Sequence, residues 1–219
     1  MKKIMMMLAA AMLLTATTAN AQFRKKDNNR VPDRFHMGLR AAYTSNSVSW
    51  DGVYGNRTGR QLSTDALDFL AGGLAFDFQI APIPLFLESG VYYMNKGCKI
   101  DKNLWNYKEE QDLHEVVIPI VVSYHIGVAP NFFIQPFFGG FLGVGFPDSD
   151  VLKDYDTDDT LIDGGLRFGC GFNFGRLYAN LGYDAGLVDI KPNEGRYPDV
   201  KFTTGTFFAT IGFNWAGSR

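Results

Sequence analysis

The sequence predicts an all-β chain, a closed antiparallel eight-stranded transmembrane β-barrel of the outer-membrane type. Three observations carry that expectation: an export leader, eight segments that alternate between two unlike faces, and connections that are long and short by turns.

The leader comes first in the chain. Lys2 and Lys3 precede an apolar run from Ile4 to Leu14, and small residues follow up to Ala19-Asn20-Ala21. This is the pattern of a secretory signal peptide with an A-x-A cleavage site. The run of 11 residues is too short for a membrane helix, which needs about 20. The expected organisation is a signal peptide over residues 1–21, a short periplasmic segment over 22–33 and the barrel over 34–219. Removing the two leader lysines from 21 basic residues leaves 19 against 23 acidic, a net charge of −4. That balance gives no reason to expect a nucleic-acid partner.

Composition points to strands. The chain has 19 Phe, 10 Tyr and 24 Gly, which favour strands and turns over helices. No later segment has the apolar length of a membrane helix, so a membrane location requires strands.

Eight segments show the period of two that places alternate side chains on opposite faces. Their apolar faces are Phe35-Met37-Leu39-Ala41-Tyr43, then Leu70-Leu74-Phe76-Phe78-Ile80, then Leu85-Leu87-Val91-Tyr93, then the even residues from Val116 to Ile126. The fifth segment, Phe132 to Phe146, is apolar on both faces and its phase is open. Three more follow: Ile162-Leu166-Phe168-Cys170-Phe172-Phe174, the odd residues from Leu177 to Leu187, and the odd residues from Phe207 to Trp215.

A soluble barrel has the same alternation turned inside out. The weaker face decides between them, because it is rich in Gly and Ala rather than in Lys, Glu and Gln. Small residues suit the confined lumen of an eight-stranded barrel, with the apolar face towards lipid.

The connections sort by length: residues 45–67 long, Ala81–Pro84 short, 97–112 long, Gly127–Asn131 short, 147–160 long and acidic, Gly175-Arg176 tight, 189–201 long. Outer-membrane barrels place short turns in the periplasm and long loops outside. Across the tight turn, antiparallel pairing sets Arg167 opposite Asp184. Pro119 and Pro136 lack the N–H a ladder needs, so a bulge or local break is expected at each. Cys98 and Cys170 fall in separate strand regions without C-x-x-C spacing, and an exported pair of this kind could form a disulfide.

Three stretches resemble the PorT-like outer-membrane β-barrel family of Bacteroidetes: Glu88–Gly97 with its closing Lys-Gly, Leu113–Tyr124 with Glu115 four residues before Pro119, and Gly164–Ile190 leading into GYDAGLVDI. The resemblance implies an eight-stranded barrel in the outer membrane and no one agreed activity. Where that family often has Arg-Tyr, this chain has Gly182-Tyr183, so no role of that arginine carries over.

Candidate chemistry lies on the inward face, where Arg40, Asp77, Glu88, Glu115, Arg167 and Asp184 gather with His36 and His125. The expected arrangement is an internal ion-pair network that fills the lumen, rather than an enzyme site, a proton path or a pore. No catalytic residue, cofactor or metal is expected: the three histidines sit on different strands, and no nucleophile-base set falls near the outer rim. The acidic loop with Asp154, Asp156 and Asp158 lacks the glycine and closing glutamate of a calcium loop. Phe213 and Trp215 look like a C-terminal signal read by the barrel-assembly machinery, and they also suit an aromatic girdle. The expected function is structural or interactive, with four loops displayed at the surface and envelope lipid around the wall. The alternatives are an accessory part in protein secretion, an outer-membrane enzyme or a narrow pore.

Overall fold

The computed structural model describes residues 35–51, 64–102, 107–129, 131–147, 161–188 and 201–216. The expected leader, the 22–33 segment and the acidic run 148–160 lie outside the described residues.

Alternation becomes a wall of strands, each hydrogen-bonded to its neighbours. In chain order these are β1 (Phe35–Asp51), β2 (Thr64–Gln79), β3 (Leu85–Asn95), β4 (Cys98–Lys102), β5 (Tyr107–Gln111), β6 (Leu113–Tyr124), β7 (Ile126–Ala129), β8 (Phe132–Pro147), β9 (Leu161–Phe174), β10 (Leu177–Gly186) and β11 (Lys201–Ala216). The order around the wall is β1-β11-β10-β9-β8-β6-β3-β2, and β2 pairs back with β1 to close it. All pairings are antiparallel, and the barrel has eight staves. Closure satisfies the backbone groups that an open edge would leave to lipid.

Three of the eleven strands are continuations of staves. β4 extends β3 after a one-residue shift at Lys96-Gly97, while β5, β6 and β7 follow one line interrupted at Asp112 and His125. The long loop expected at 97–112 is therefore largely a β4–β5 hairpin. β1 likewise runs on to Asp51 and β2 starts at Thr64, inside the loop expected at 45–67. Most residues of these stretches are polar, with Val48 and Leu67 as buried exceptions, so hydrophobic periodicity marks them weakly, yet ladder hydrogen bonds continue past the apolar belt.

The inward and outward faces follow the expected parity, although one side chain of the outward register is covered. Met37 was expected outward but is 4% exposed. The β1–β11 register slips between Met37 and Gly38, with the extra residue, Trp215, on β11, so the bulge lies on the neighbouring strand while Met37 keeps its regular pairing with Phe76 of β2. β8 resolves its phase: Phe138, Leu142, Val144 and Phe146 face out, while Gln135, Phe137 and Phe141 face in.

The prolines break ladders without shifting them. Opposite Pro119 the β3–β6 pairing lapses between Ser89↔Ile120 and Tyr92↔Val117, whereas the β8 side pairs through Pro119↔Phe141. The missing N–H thus faces β3. Opposite Pro136 the gap lies between Ser123↔Phe137 and Ile126↔Ile134, where His125 N instead donates to Pro84 O at 2.8 Å. The turn at Gly175-Arg176 has φ 61° at Gly175, a left-handed value that Gly takes without a Cβ penalty at the first central position of a two-residue hairpin. Cys170 carries a free thiol, so the disulfide is not formed.

Candidate functional site

The inward face of the barrel is filled rather than hollow, and inward glycines make the room. A Cβ at Gly182 would collide with the Phe208 ring, one at Gly169 with Phe137, and one at Gly73 or Gly90 with Tyr92. Absent side chains thus let large ones cross the lumen. Val121, Phe137 and Phe208 form one apolar shelf, and Ala42, Ala71, Met94, Val117 and Phe141 form another nearer the long connections. Polar groups occupy the levels between and beyond these shelves.

At the short-turn end, ladder pairing places Asp77 beside His36 on one flank and Glu88 on the other. His36 Nδ1 stands 4.0 Å from Asp77 Oδ2, and His125 Nε2 stands 3.8 Å from Glu88 Oε1. Phe86 stacks on the His125 ring with centroids 3.8 Å apart. Ser123 Oγ lies 3.1 Å from His125 Nε2 and Gln135 Nε2 lies 3.3 Å from His125 Nδ1. A nucleophile and its orienting acid must use different ring nitrogens. Here Ser123 and Glu88 both approach Nε2, so the set holds charge but cannot relay a proton from serine to acid.

In the middle of the lumen, Arg167 meets Asp184 in a two-pronged pair: Nε and Nη2 each donate to a carboxylate oxygen at 2.6 Å. This is the partner that counting outward from the tight turn assigns. The Arg167 guanidinium also lies 4.8 Å from the Phe208 ring centroid and 5.8 Å from that of Tyr92. Arg40 rests over Tyr178 at 4.1 Å, and its Nη1 donates to Leu39 O at 3.2 Å. Arg40, Asp77, Glu88, Tyr92, Arg167 and Tyr178 surround a cavity of about 30 Å³, room for about two waters.

Towards the long connections, Lys96 is fully buried. Its Nζ donates to Asp163 Oδ2 at 2.8 Å, stands 3.3 Å from Glu115 Oε2 and lies 3.8 Å above the Phe141 ring. Asp163 also accepts from Thr204 Oγ1 at 2.8 Å and from Gly164 N at 2.7 Å. Glu115 is held by charge alone, because neither of its oxygens has an aligned hydrogen-bond donor. Asn95 fixes the bend behind Lys96: its Oδ1 accepts from Gly97 N at 2.9 Å and from Leu113 N at 3.0 Å.

The expected network therefore forms three clusters, the first two of which meet at that cavity. Asp77 and Glu88 share the first with the two histidines, Arg40, Arg167 and Asp184 occupy the second, and Glu115 belongs to the third. Lys96 and Asp163 complete that third cluster and were absent from the candidate charges. Their signal was available, since Lys96 has the inward parity of Tyr92 and Met94, and Asp163 that of Arg167. Phe213 and Trp215 face outward at the short-turn end, where Phe213 pairs with Leu39 and Leu177. Among the described residues, no group of three or more His, Cys, Asp or Glu side chains is placed to hold a metal ion.

Comparison with known proteins locates this architecture. The model of a family described as outer membrane protein beta-barrel domain matches residues 20–191. Among solved structures, the outer membrane protein OprG from Pseudomonas aeruginosa is similar, with a TM-score of 0.55 at 15% identity over 83% of this chain and 95% of that one. Neisserial surface protein A gives a TM-score of 0.44 at 16% identity, over 84% of this chain and 99% of that one. Ail, the attachment invasion locus protein of Yersinia pestis, gives 0.41 at 11% identity, over 83% and 99%. A search of curated proteins finds no match.

Proposed function

Because the chain belongs to the outer membrane protein β-barrel domain family and so resides in the outer membrane, we propose that it is a side-chain-plugged barrel whose work lies in its surface connections. The observation that supports this reading is the buried Lys96–Asp163 bridge, which crosses the lumen from the end of β3 to β9, together with Arg167, which is paired to Asp184 on the neighbouring strand and reaches inward to Phe208 and Tyr92 at another level. A conducting path would have to displace both of these inward-reaching side chains. The barrel then serves as a rigid mount for the connections at 52–63, 103–106, 148–160 and 189–200, which present sites for envelope or external partners.

Planar-bilayer recording tests the plug: the expected result is no resolvable single-channel current, and a steady unitary conductance would overturn the reading. Display is tested with Ser149→Cys in a background where Cys98 and Cys170 are alanine. A membrane-impermeant thiol reagent should label it on intact cells, whereas Gly175→Cys should stay unlabelled. Affinity capture from intact envelopes then identifies the partner.

A second reading, an accessory part in protein secretion, draws on the PorT-like resemblance and on one feature of the wall. β5 ends the sheet among the described strands, and an open strand edge of this kind can accept a strand from another protein.

A further inference from the structure

The lipid-facing wall is not uniform. On β8 and β9 two outward positions are glycines, Gly140 and Gly164, and the ladders place Gly140 between Ile120 and Leu166 and Gly164 beside Leu142. Missing side chains at neighbouring positions leave a groove of about 490 Å³, floored by backbone and walled by Ile120, Leu142, Leu187 and Val188. Its far wall is held in place, because Leu187 N and Val188 N both donate to Gly164 O, at 2.8 and 3.0 Å. The chain leaving β10 is thereby tied across the edge of β9.

The groove opens outward. Ile120 is 51% and Leu142 58% exposed, and both share the outward parity of the apolar belt. It also lies towards the long connections, since Gly164 is the fourth residue of β9 and the tight turn follows the strand's other end. That end of the barrel faces the outer leaflet.

We propose that this groove seats one acyl chain of an outer-leaflet lipid. It is continuous with the apolar belt, which lipid covers in an outer-membrane protein, so its neighbours on the wall are acyl chains already. An empty groove would leave its wall atoms without dispersion partners, and water would gain little from a lining without a single charged side chain. A narrow hydrocarbon chain satisfies both conditions. Because the lining offers no charged group, the site selects for the chain and not for the headgroup.

Native mass spectrometry of the full mature protein, released from detergent micelles doped with palmitoyl-oleoyl phosphatidylglycerol or phosphatidylethanolamine, tests this. Wild type should retain one phospholipid per chain, to the same degree with either headgroup. Gly164→Leu, which fills the floor, and Leu142→Trp, which covers the opening and leaves both glycines in the sequence, should each lower retention about tenfold. Leu181→Trp, outward-facing on β10 and away from the groove, should retain lipid as wild type does. If Gly164→Leu does not fold, Leu142→Trp decides. Equal retention by Leu142→Trp and Leu181→Trp, no retained lipid in wild type, or retention that follows the headgroup would each overturn the proposal.

Discussion

Replacing Asp184 with alanine leaves the Arg167 guanidinium inside the lumen beside two aromatic rings, without the carboxylate that held both of its bonds. The pair it loses has both prongs at 2.6 Å, and Asp184 is 0% exposed, so the carboxylate's place is out of reach of bulk water. Breaking a buried pair by removing one member costs about 3–5 kcal/mol, most of it the stranded charge. Arg167→Ala should cost the same or slightly more, because it also gives up the contacts with Phe208 and Tyr92, worth about 0.5–2 kcal/mol when desolvated. The double variant strands nothing. Its loss should fall short of the sum of the single losses by about 1–3 kcal/mol, the coupling usual for residues in one network. Urea unfolding in phosphatidylcholine vesicles, followed by tryptophan fluorescence and by gel mobility, gives the four free energies of the cycle. Coupling below about 0.5 kcal/mol would mean that water solvates the pair, and the plugged-lumen argument would fail with it.

Other perturbations probe the remaining parts of the wall. Ile211 is 70% exposed and faces lipid four residues before Trp215, about 10 Å along the barrel axis for a tilted strand; Ile211→Arg should cost about 2–4 kcal/mol in the same assay, and a wild-type midpoint would refute the lipid-facing assignment. In the third cluster, Lys96→Met leaves Glu115 and Asp163 facing each other and should destabilise by about 3 kcal/mol or more. Lys96→Met combined with Glu115→Gln should recover part of that loss; no recovery would show that Glu115 is not held by Lys96. Gly182→Ala places a methyl against the Phe208 ring and should cost about 1–3 kcal/mol as overpacking, which thermal gel-shift midpoints would register; an unchanged midpoint would mean the ring has room to move.

The strands of the apolar belt were legible in the sequence because one face must satisfy lipid and the other a cramped interior, and no other arrangement writes Gly-Leu-Arg-Phe-Gly-Cys-Gly-Phe along a strand. The tight turn was legible too, and with it the Arg167–Asp184 pairing, since a two-residue connection leaves one register. Where lipid no longer constrains the chain, the pattern fades: Lys99 and Glu110 are ladder partners, although nothing in their polarity separates strand from loop. Met37 shows the other limit, because a side chain of the outward register covered beside a bulge on the neighbouring strand has no local signature. Lys96 has the inward parity of Tyr92 and Met94, but that parity competes with the Lys-Gly pair at a strand end, which looks like a solvated turn until Asn95 is seen to hold the bend closed.

Seven of the eight ladders around the wall join staves that are neighbours along the chain, and the eighth, β1 with β11, joins residues as far apart as Met37 and Ala216. That ladder has fifteen paired positions, one more than any other, so the longest seam is also the one that carries the greatest loop-closure entropy. Contacts of such sequence separation form late. Folding should therefore be paced by the zipping of this one seam, because until it closes β1 and β11 each leave an edge unpaired. For this chain, the final strand is the latch that converts an aggregation-prone ribbon into a cylinder.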